Sequence, residues 1–106
     1  MMTGTYLSSY ECAKVLKAMG DHTRLRILRH LVAGEKPVTV LAQELSIEQP
    51  KASHHLGILR RAGLVIEQRE GRQTFYRLHP TVHKELSQEE GMIDLGCCSV
   101  DLKKEN

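Results

Sequence analysis

Residues 40–61 read VLAQELSIEQPKASHHLGILRR, and this stretch decides the fold. Apolar residues recur at helical spacing on both sides of residues 46–49, which predicts two short helices joined by a turn. One side of the second helix is apolar and can pack on the first helix: Ala52, Leu56, Leu59 and Gly63. The opposite side carries Lys51, His54 and Arg61, with Ile58 among them. We therefore expect a helix-turn-helix at about residues 40–62, whose second helix suits a DNA major groove.

A β-hairpin is predicted directly after the second helix. Residues 64–69 and 73–78 alternate apolar and polar side chains around Glu70-Gly71, which predicts a two-residue turn there. This hairpin, at about residues 64–78, would make the helix-turn-helix winged. A chain of 106 residues suits one small domain. We expect residues 1–106 to form a single winged helix-turn-helix domain that is mainly α with a small β-hairpin.

Two further helices are predicted upstream. Residues 6–19 have apolar side chains at spacings near three and four, and Gly20 ends this amphipathic helix. Asp21 is expected to cap the next helix, and Thr39 to cap the first helix of the helix-turn-helix.

The motifs around the second helix resemble those of a known family. QPKASHHL at residues 49–56, followed by LRRAGLV at residues 59–65, looks like the recognition helix of the ArsR/SmtB family of bacterial repressors. GDHTRLRIL at residues 20–28 and the wing segment REGR at residues 69–72 agree with that resemblance. It covers about residues 13–80. It implies a homodimeric repressor with two recognition helices in successive major grooves of an inverted-repeat operator, about 34–36 Å apart.

The candidate DNA contacts lie on the recognition helix and the wing. They are Gln49, Lys51, Ser53, His54, His55 and Arg61 on the helix, and Arg69 and Arg72 in the wing. From Lys51 to Arg77, six Lys or Arg outweigh two Glu for a net charge of +4, whereas residues 85–106 carry −4. The local positive charge favours contact with double-stranded DNA. The alternative is that Arg69 and Arg72 are solvated charges that keep an edge hairpin soluble.

Composition indicates a protein of the cytoplasm. No apolar run approaches the ~18 residues of a membrane span, and no basic and apolar leader precedes the chain. Three cysteines, two of them adjacent, do not make a secreted disulfide framework. No His and Asp arrangement accompanies a cysteine, so we expect no enzymatic activity.

The adjacent pair Cys97-Cys98 is the strongest chemical signal in the sequence. Neighbouring Cα atoms lie only ~3.8 Å apart, so a disulfide between these two cysteines would be cramped. Joint coordination of a thiophilic ion such as arsenite, zinc or cadmium suits them better. Cys12 would supply a third sulfur if the first helix lies beside the C-terminal segment. The resemblance adds that some arsenic-responsive members carry paired cysteines after the wing. The alternative is a buried Cys12 and an incidental pair.

The chain departs from the family pattern in several places. Ser46 stands where the family often has Gly, so the resemblance implies a positive φ for Ser46 at a cost of roughly 1 kcal/mol. The Cys-x-Cys site that some members have at the start of the third helix is absent, since residues 35–39 read EKPVT. His79 and His83 would make a zinc pair only if Pro80 between them allows it. Relatives usually end in a long dimer-forming helix. Here residues 81–90 can be helical, whereas the glycine-interrupted run at residues 92–102 is expected to be extended or irregular.

These observations favour a homodimeric DNA-binding repressor with a C-terminal dimer and sensor segment at about residues 79–102. In the leading hypothesis, a thiophilic ion at Cys12, Cys97 and Cys98 releases the repressor from DNA. A second hypothesis makes the same cysteines a redox or persulfide switch, with Cys12 as resolving partner. A third is a winged-helix module that binds proteins and never reads DNA. No other cofactor is implied.

Overall fold

Four helices and two small sheets make up the computed structural model, which describes residues 8–80, 92–95 and 97–102. The helices are α1 (Ser9–Met19), α2 (His22–Val32), α3 (Val38–Leu45) and α4 (Gln49–Arg61). The strands are β1 (Lys36–Pro37), β2 (Val65–Glu70), β3 (Gln73–Leu78), β4 (Met92–Asp94) and β5 (Ser99–Asp101). Helix α3, the turn and helix α4 form the predicted helix-turn-helix, and β2 with β3 forms the wing.

Helices α1 and α2 both begin at side-chain caps. Ser8 Oγ accepts the Glu11 backbone N–H at 3.1 Å, and Glu11 Oε1 accepts the Ser8 N–H at 3.0 Å, which is a capping box. Asp21 Oδ2 accepts the Arg24 N–H at 3.1 Å, as predicted for the second helix. The predicted start of α1 at residue 6 lies outside the described residues.

The predicted cap at Thr39 is wrong. Helix α3 begins at Val38, and its N-cap is Pro37, which makes no side-chain capping bond. The reason is that Lys36 and Pro37 pair with Tyr76 and Phe75 of β3, so the chain passes from the sheet directly into the helix.

The turn between α3 and α4 confirms the expectation for Ser46. Ser46 has a φ of 56° and ψ of 46°, the left-handed conformation that ends many helices. The N–H groups of Ser46 and Ile47 donate to the carbonyls of Gln43 and Ala42 at 3.2 and 3.0 Å. These bonds reverse the chain, so that α4 can pack across α3.

The wing turn lies one residue later than predicted. Glu70 pairs with Gln73, so the two turn residues are Gly71 and Arg72 and not Glu70 and Gly71. Gly71 has a φ of 64°, which costs glycine little and other residues more. The shift places Arg72 within the turn itself.

The core lies between the helices and the inner face of the wing. The residues that are 0–2% exposed are almost all aliphatic: Ile27, Leu28, Leu31, Leu41, Leu45, Leu56, Leu59, Leu64, Val65 and Ile93 among the largest. Ala52, Leu56 and Leu59 form the predicted apolar back of α4. Gly63 does not belong to that face, because it follows the helix and is exposed.

Within the C-terminal run that was expected to be extended or irregular, residues 92–94 and 99–101 are extended. Strands β4 and β5 pair antiparallel from Met92 with Asp101 to Asp94 with Ser99, and the Leu95 N–H donates to the Cys98 carbonyl at 2.8 Å. Ile93, Leu95 and Leu102 join the core. The predicted helix at residues 81–90 lies outside the described residues. Among the helices of the described chain, none combines the length and apolarity needed to cross a membrane.

Candidate nucleic-acid interface and cysteine cluster

The first turns of α4 present an exposed polar face. Gln49, Lys51, Ser53 and His54 are all exposed, whereas Ala52 between them is fully buried. Pro50 occupies the first turn, where its missing N–H is no loss. The N-cap Glu48 makes no side-chain capping bond, so it does not compete for the first backbone N–H groups of α4. This end of the helix can therefore offer side chains and backbone donors to a nucleic acid.

His55 is less exposed than the residues of that face. Its side chain is 12% exposed, and its Nδ1 lies 3.1 Å from Arg24 Nη1 and 3.9 Å from Asp21 Oδ2. The ring therefore lies toward the N-terminus of α2, and its predicted contact with DNA stays a prediction. His54, its neighbour, is exposed and its ring lies edge-on to His55 with the centroids 5.4 Å apart.

The other predicted cations are exposed. Arg61 lies in the last turn of α4, and Arg69 and Arg72 lie in the wing near and within its turn. Arg69 Nε donates to the Gly71 carbonyl at 3.3 Å, which ties its side chain to the turn. The structure thus places exposed cations at the end of α4 and near the tip of the wing.

A polar cluster that the sequence did not reveal joins the wing to the recognition helix. Tyr76 of β3 donates its hydroxyl to Glu67 Oε1 at 2.8 Å, and Arg60 Nε of α4 lies 3.7 Å from the same oxygen. Burial, which is the larger cause, and the hydrogen bond to Glu67 raise the pKa of Tyr76 to about 12. The Tyr76 hydroxyl is therefore protonated at neutral pH and can donate to Glu67. The cross-strand position of Tyr76 opposite Glu67 is the only sequence signal for this cluster, and it depends on the register.

The three cysteines come together between α1 and the β4–β5 hairpin. Cys12 of α1 forms a disulfide with Cys97, and their Cα atoms are 6.3 Å apart. Cys98 has a free thiol, exposed to solvent, with its Sγ 3.9 Å from Cys97 Sγ. All three sulfurs lie within 4.8 Å of one another. Cys12 therefore lies close enough to act together with Cys97 and Cys98, which was the condition that the sequence set for a three-sulfur site.

The sulfur spacing suits a thiophilic ion once the disulfide is reduced. Zn–S bonds of about 2.3 Å place two sulfurs on one tetrahedral ion about 3.8 Å apart. The three sulfurs could reach such positions with small shifts, since they already lie within 4.8 Å. In the disulfide form Cys12 and Cys97 are not thiolates, so ion binding and disulfide formation exclude each other at this cluster.

Comparison with known proteins agrees with the fold and the motifs. A family model described as a helix-turn-helix domain matches residues 19–68. HlyU from Vibrio cholerae is 38% identical, with a TM-score of 0.68 over 76% of this chain and 87% of that chain. The arsenic resistance transcriptional regulator ArsR1 of Pseudomonas putida is 42% identical over 69 residues, 64% of this chain. The chain belongs to the ArsR/SmtB family.

One solved ArsR/SmtB-type structure also describes an assembly. It is the homodimeric winged helix-turn-helix DNA-binding domain Mb0332 of Mycobacterium bovis, described as a "possible ArsR-family transcriptional regulator". It is 36% identical, with a TM-score of 0.63 over 65% of this chain and 64% of that chain. The chain spans 54% of the length of ArsR1 and 59% of another curated regulator that it matches. The similar part includes the helix-turn-helix and not the whole of those proteins.

The zinc pair of His79 and His83, which the sequence made conditional on Pro80, has only one member among the described residues. His79 follows β3, and its N–H donates to the Leu64 carbonyl at 2.9 Å. His83 lies outside the described residues. In the part of the chain that the structure describes, the cysteine trio is the one group of three or more His, Cys, Asp or Glu whose ligand atoms converge.

Proposed function

We propose that this chain is a homodimeric, sequence-specific DNA-binding repressor of the cytoplasm, controlled at its three cysteines. The observation that carries the proposal is the exposed polar start of α4, followed in the chain by a wing with exposed cations, together with the convergence of three sulfurs at α1. The α4 face would read base edges in a major groove, and the wing would contact phosphates. Two similar proteins support the same assignment, because ArsR1 is a transcriptional regulator and Mb0332 is a homodimeric DNA-binding domain.

Apolar side chains exposed on α1 support the proposed dimer. Tyr10 is 73% exposed and Leu16 is 42% exposed, so this helix carries apolar surface that a second subunit could cover. A chain of 12.0 kDa also buries a limited core by itself. Sedimentation at low micromolar concentration is expected to give about twice the monomer mass. A stable, cooperatively folded monomer would contradict the assembly.

Two triggers fit the cysteine cluster, and a specific observation favours each. Three sulfurs within 4.8 Å favour a thiophilic ion held by the reduced cysteines. The Cys12–Cys97 disulfide favours an oxidative trigger, in which two thiols lose two protons and pass two electrons to an oxidant. Either event would change how α1 and the β4–β5 hairpin are joined. A trigger that favours the DNA-incompetent dimer would release the operator.

The test begins with an operator selected from a pool of random DNA duplexes. Its affinity is then measured for the reduced protein alone, and with arsenite, zinc, cadmium, the oxidant diamide and a persulfide donor in turn. We expect salt-dependent, sequence-specific binding of the reduced dimer and release by at least one of these agents. Absence of any sequence preference would leave a protein-interaction module as the better assignment.

Contacts to bases and contacts to phosphates should respond differently to mutation. His54→Ala is expected to cost about 1–3 kcal/mol of operator binding and to relax the preference at one base pair. Arg72→Ala is expected to weaken binding to all sequences alike and to lower the slope of log affinity against log salt by about 0.9. Anisotropy titrations on the operator and on single-substitution operators, at several salt concentrations, check both. Unchanged affinity and preference in the His54 variant would refute base reading by α4.

A further inference from the structure

We propose that Arg24 couples the cysteine-bearing helix α1 to the recognition helix α4 by bridging the Ala18 carbonyl and the His55 ring. This rests on the proposed function, because the coupling matters only if the cysteines control DNA binding. Arg24 is a positioning residue in this proposal. Its side-chain hydrogen bonds are to Ala18 and His55, and it would act by fixing the position of the DNA-reading helix relative to the sensor helix.

The side chain of Arg24 joins three helices at one point. Its Nε donates to the Ala18 carbonyl of α1 at 2.6 Å, and its Nη1 lies 3.1 Å from His55 Nδ1 of α4. Its own backbone N–H is held by Asp21 at the start of α2. The planar guanidinium has donors in a fixed fork, so it can serve both acceptors only while α1 and α4 keep their relative positions.

The bond to His55 requires a particular protonation state. Arg24 can only donate, so His55 Nδ1 must accept and the ring proton must reside on Nε2. Burial lowers the pKa of His55 below its ordinary value of 6.5, and the charges of Arg24, His54 and Lys51 lower it further, against the opposing effect of Asp21. His55 is therefore neutral at pH 7 and available as an acceptor. At 3.9 Å, Asp21 would take over as partner only if the ring became protonated.

Helix α1 provides a short path from the cysteines to this contact. Cys12 and Ala18 belong to the same helix, six residues apart, which is about 9 Å along its axis. Ala18 lies in the last turn, where carbonyls lack partners within the helix and need others. A rotation or shift of α1 when Cys12 is bonded or released would move the Ala18 carbonyl. Arg24 would then lose one of its two acceptors, or carry His55 and α4 with it.

The test compares the effect of the cysteine trigger in variants, and not operator affinity alone. Arg24→Lys keeps the charge but cannot span both acceptors. His55→Gln serves as a second variant if the first does not fold, because it removes the ring without removing a polar side chain. Arg26→Lys is the matched control, since Arg26 lies on the same helix and has no bond or ion pair among the described residues. Each protein is titrated with operator in reductant, and again with diamide or arsenite.

We expect the ratio of affinities between the two states to fall by about 5–150-fold in Arg24→Lys, the range of typical coupling, and to be unchanged in Arg26→Lys. A purely structural role would weaken binding in both states equally and leave the ratio alone. A ratio equal to that of the wild type in Arg24→Lys, with the wild type responding normally, would overturn the coupling while the proposed function stands.

A second readout does not require DNA. The His55 ring resonances are followed by NMR in the reduced protein and after diamide. In the wild type they should differ between the two states, and in Arg24→Lys the difference should shrink to that of a histidine outside this contact, such as His30, which is bonded to Glu44 of α3. If the wild-type His55 resonances do not respond to disulfide formation, the coupling is refuted. If they respond but the operator is never bound or released, the proposed function alone fails.

Discussion

Leu56→Ala is expected to lower the free energy of unfolding by about 2–5 kcal/mol. Leu56 is 0% exposed on the back of α4, where it packs in the aliphatic core with Leu59 and the residues of α3. A small domain is stable by only about 5–15 kcal/mol, so this one change would remove a large share of the stability. Urea denaturation followed by circular dichroism measures the loss as a lower midpoint with an unchanged slope.

The matched control lies two residues earlier on the same helix. His54→Ala should change the free energy of unfolding by no more than about 0.5 kcal/mol, because His54 is exposed. The same variant should nevertheless weaken operator binding. The two faces of α4 would then be separated, one stabilising the domain and the other contacting DNA. If Leu56→Ala left stability unchanged while His54→Ala reduced it, the assignment of these faces would be reversed.

The fold could be predicted from the sequence because its decisive signals are local. The spacing of apolar residues identified α3 and α4. Ala52, Leu56 and Leu59 are buried, as their helical spacing predicted. Asp21 was identifiable as a cap because Asx side chains accept nearby N–H groups wherever a helix follows. The glycine-interrupted C-terminal run was expected to be extended or irregular, and its described residues include β4 and β5.

Predictions failed where a distant residue decides the outcome. Helical spacing placed His54 opposite the apolar side of α4, but it did not show which residues the neighbouring His55 would contact. That depends on Arg24 and Asp21, which are more than 30 positions away in sequence. The wing turn moved to Gly71-Arg72 because pairing of two whole strands sets the register. The predicted cap at Thr39 failed because β1 pairs with a strand nearly 40 residues later, and α3 begins directly after β1.

The cysteine cluster could be predicted only in part. The sequence identified the adjacent pair Cys97-Cys98. It added Cys12 only on the condition that the first helix packs beside the C-terminal segment, and Cys12 and Cys97 are 85 residues apart in the sequence. The structure meets this condition, with all three sulfurs within 4.8 Å. It also gives the three cysteines different positions, because Cys12 is buried and Cys98 is exposed and unbonded. This asymmetry allows the two proposed triggers to be separated by mutation.

Cys98→Ser is expected to impair release by arsenite and to leave release by diamide intact. The oxidative trigger needs only Cys12 and Cys97, which already form the disulfide. A bound ion would use all three sulfurs. Moving a dimer from 1:99 to 99:1 requires about 5.5 kcal/mol of differential affinity, so an equal share per sulfur is about 1.8 kcal/mol. The variant should therefore need about 20-fold more arsenite for half-release.

The measurement is operator anisotropy against arsenite concentration in reductant, and against diamide without reductant. The double variant Cys97→Ser, Cys98→Ser is the matched control, and it should bind operator like the wild type but respond to neither agent. Retention of the normal arsenite response in Cys98→Ser would remove Cys98 from the ion site. Release of the double variant by either agent at the wild-type concentration would show that the trigger lies elsewhere. Loss of only the diamide response in Cys98→Ser would mean that Cys98, and not Cys97, is the oxidised partner in solution.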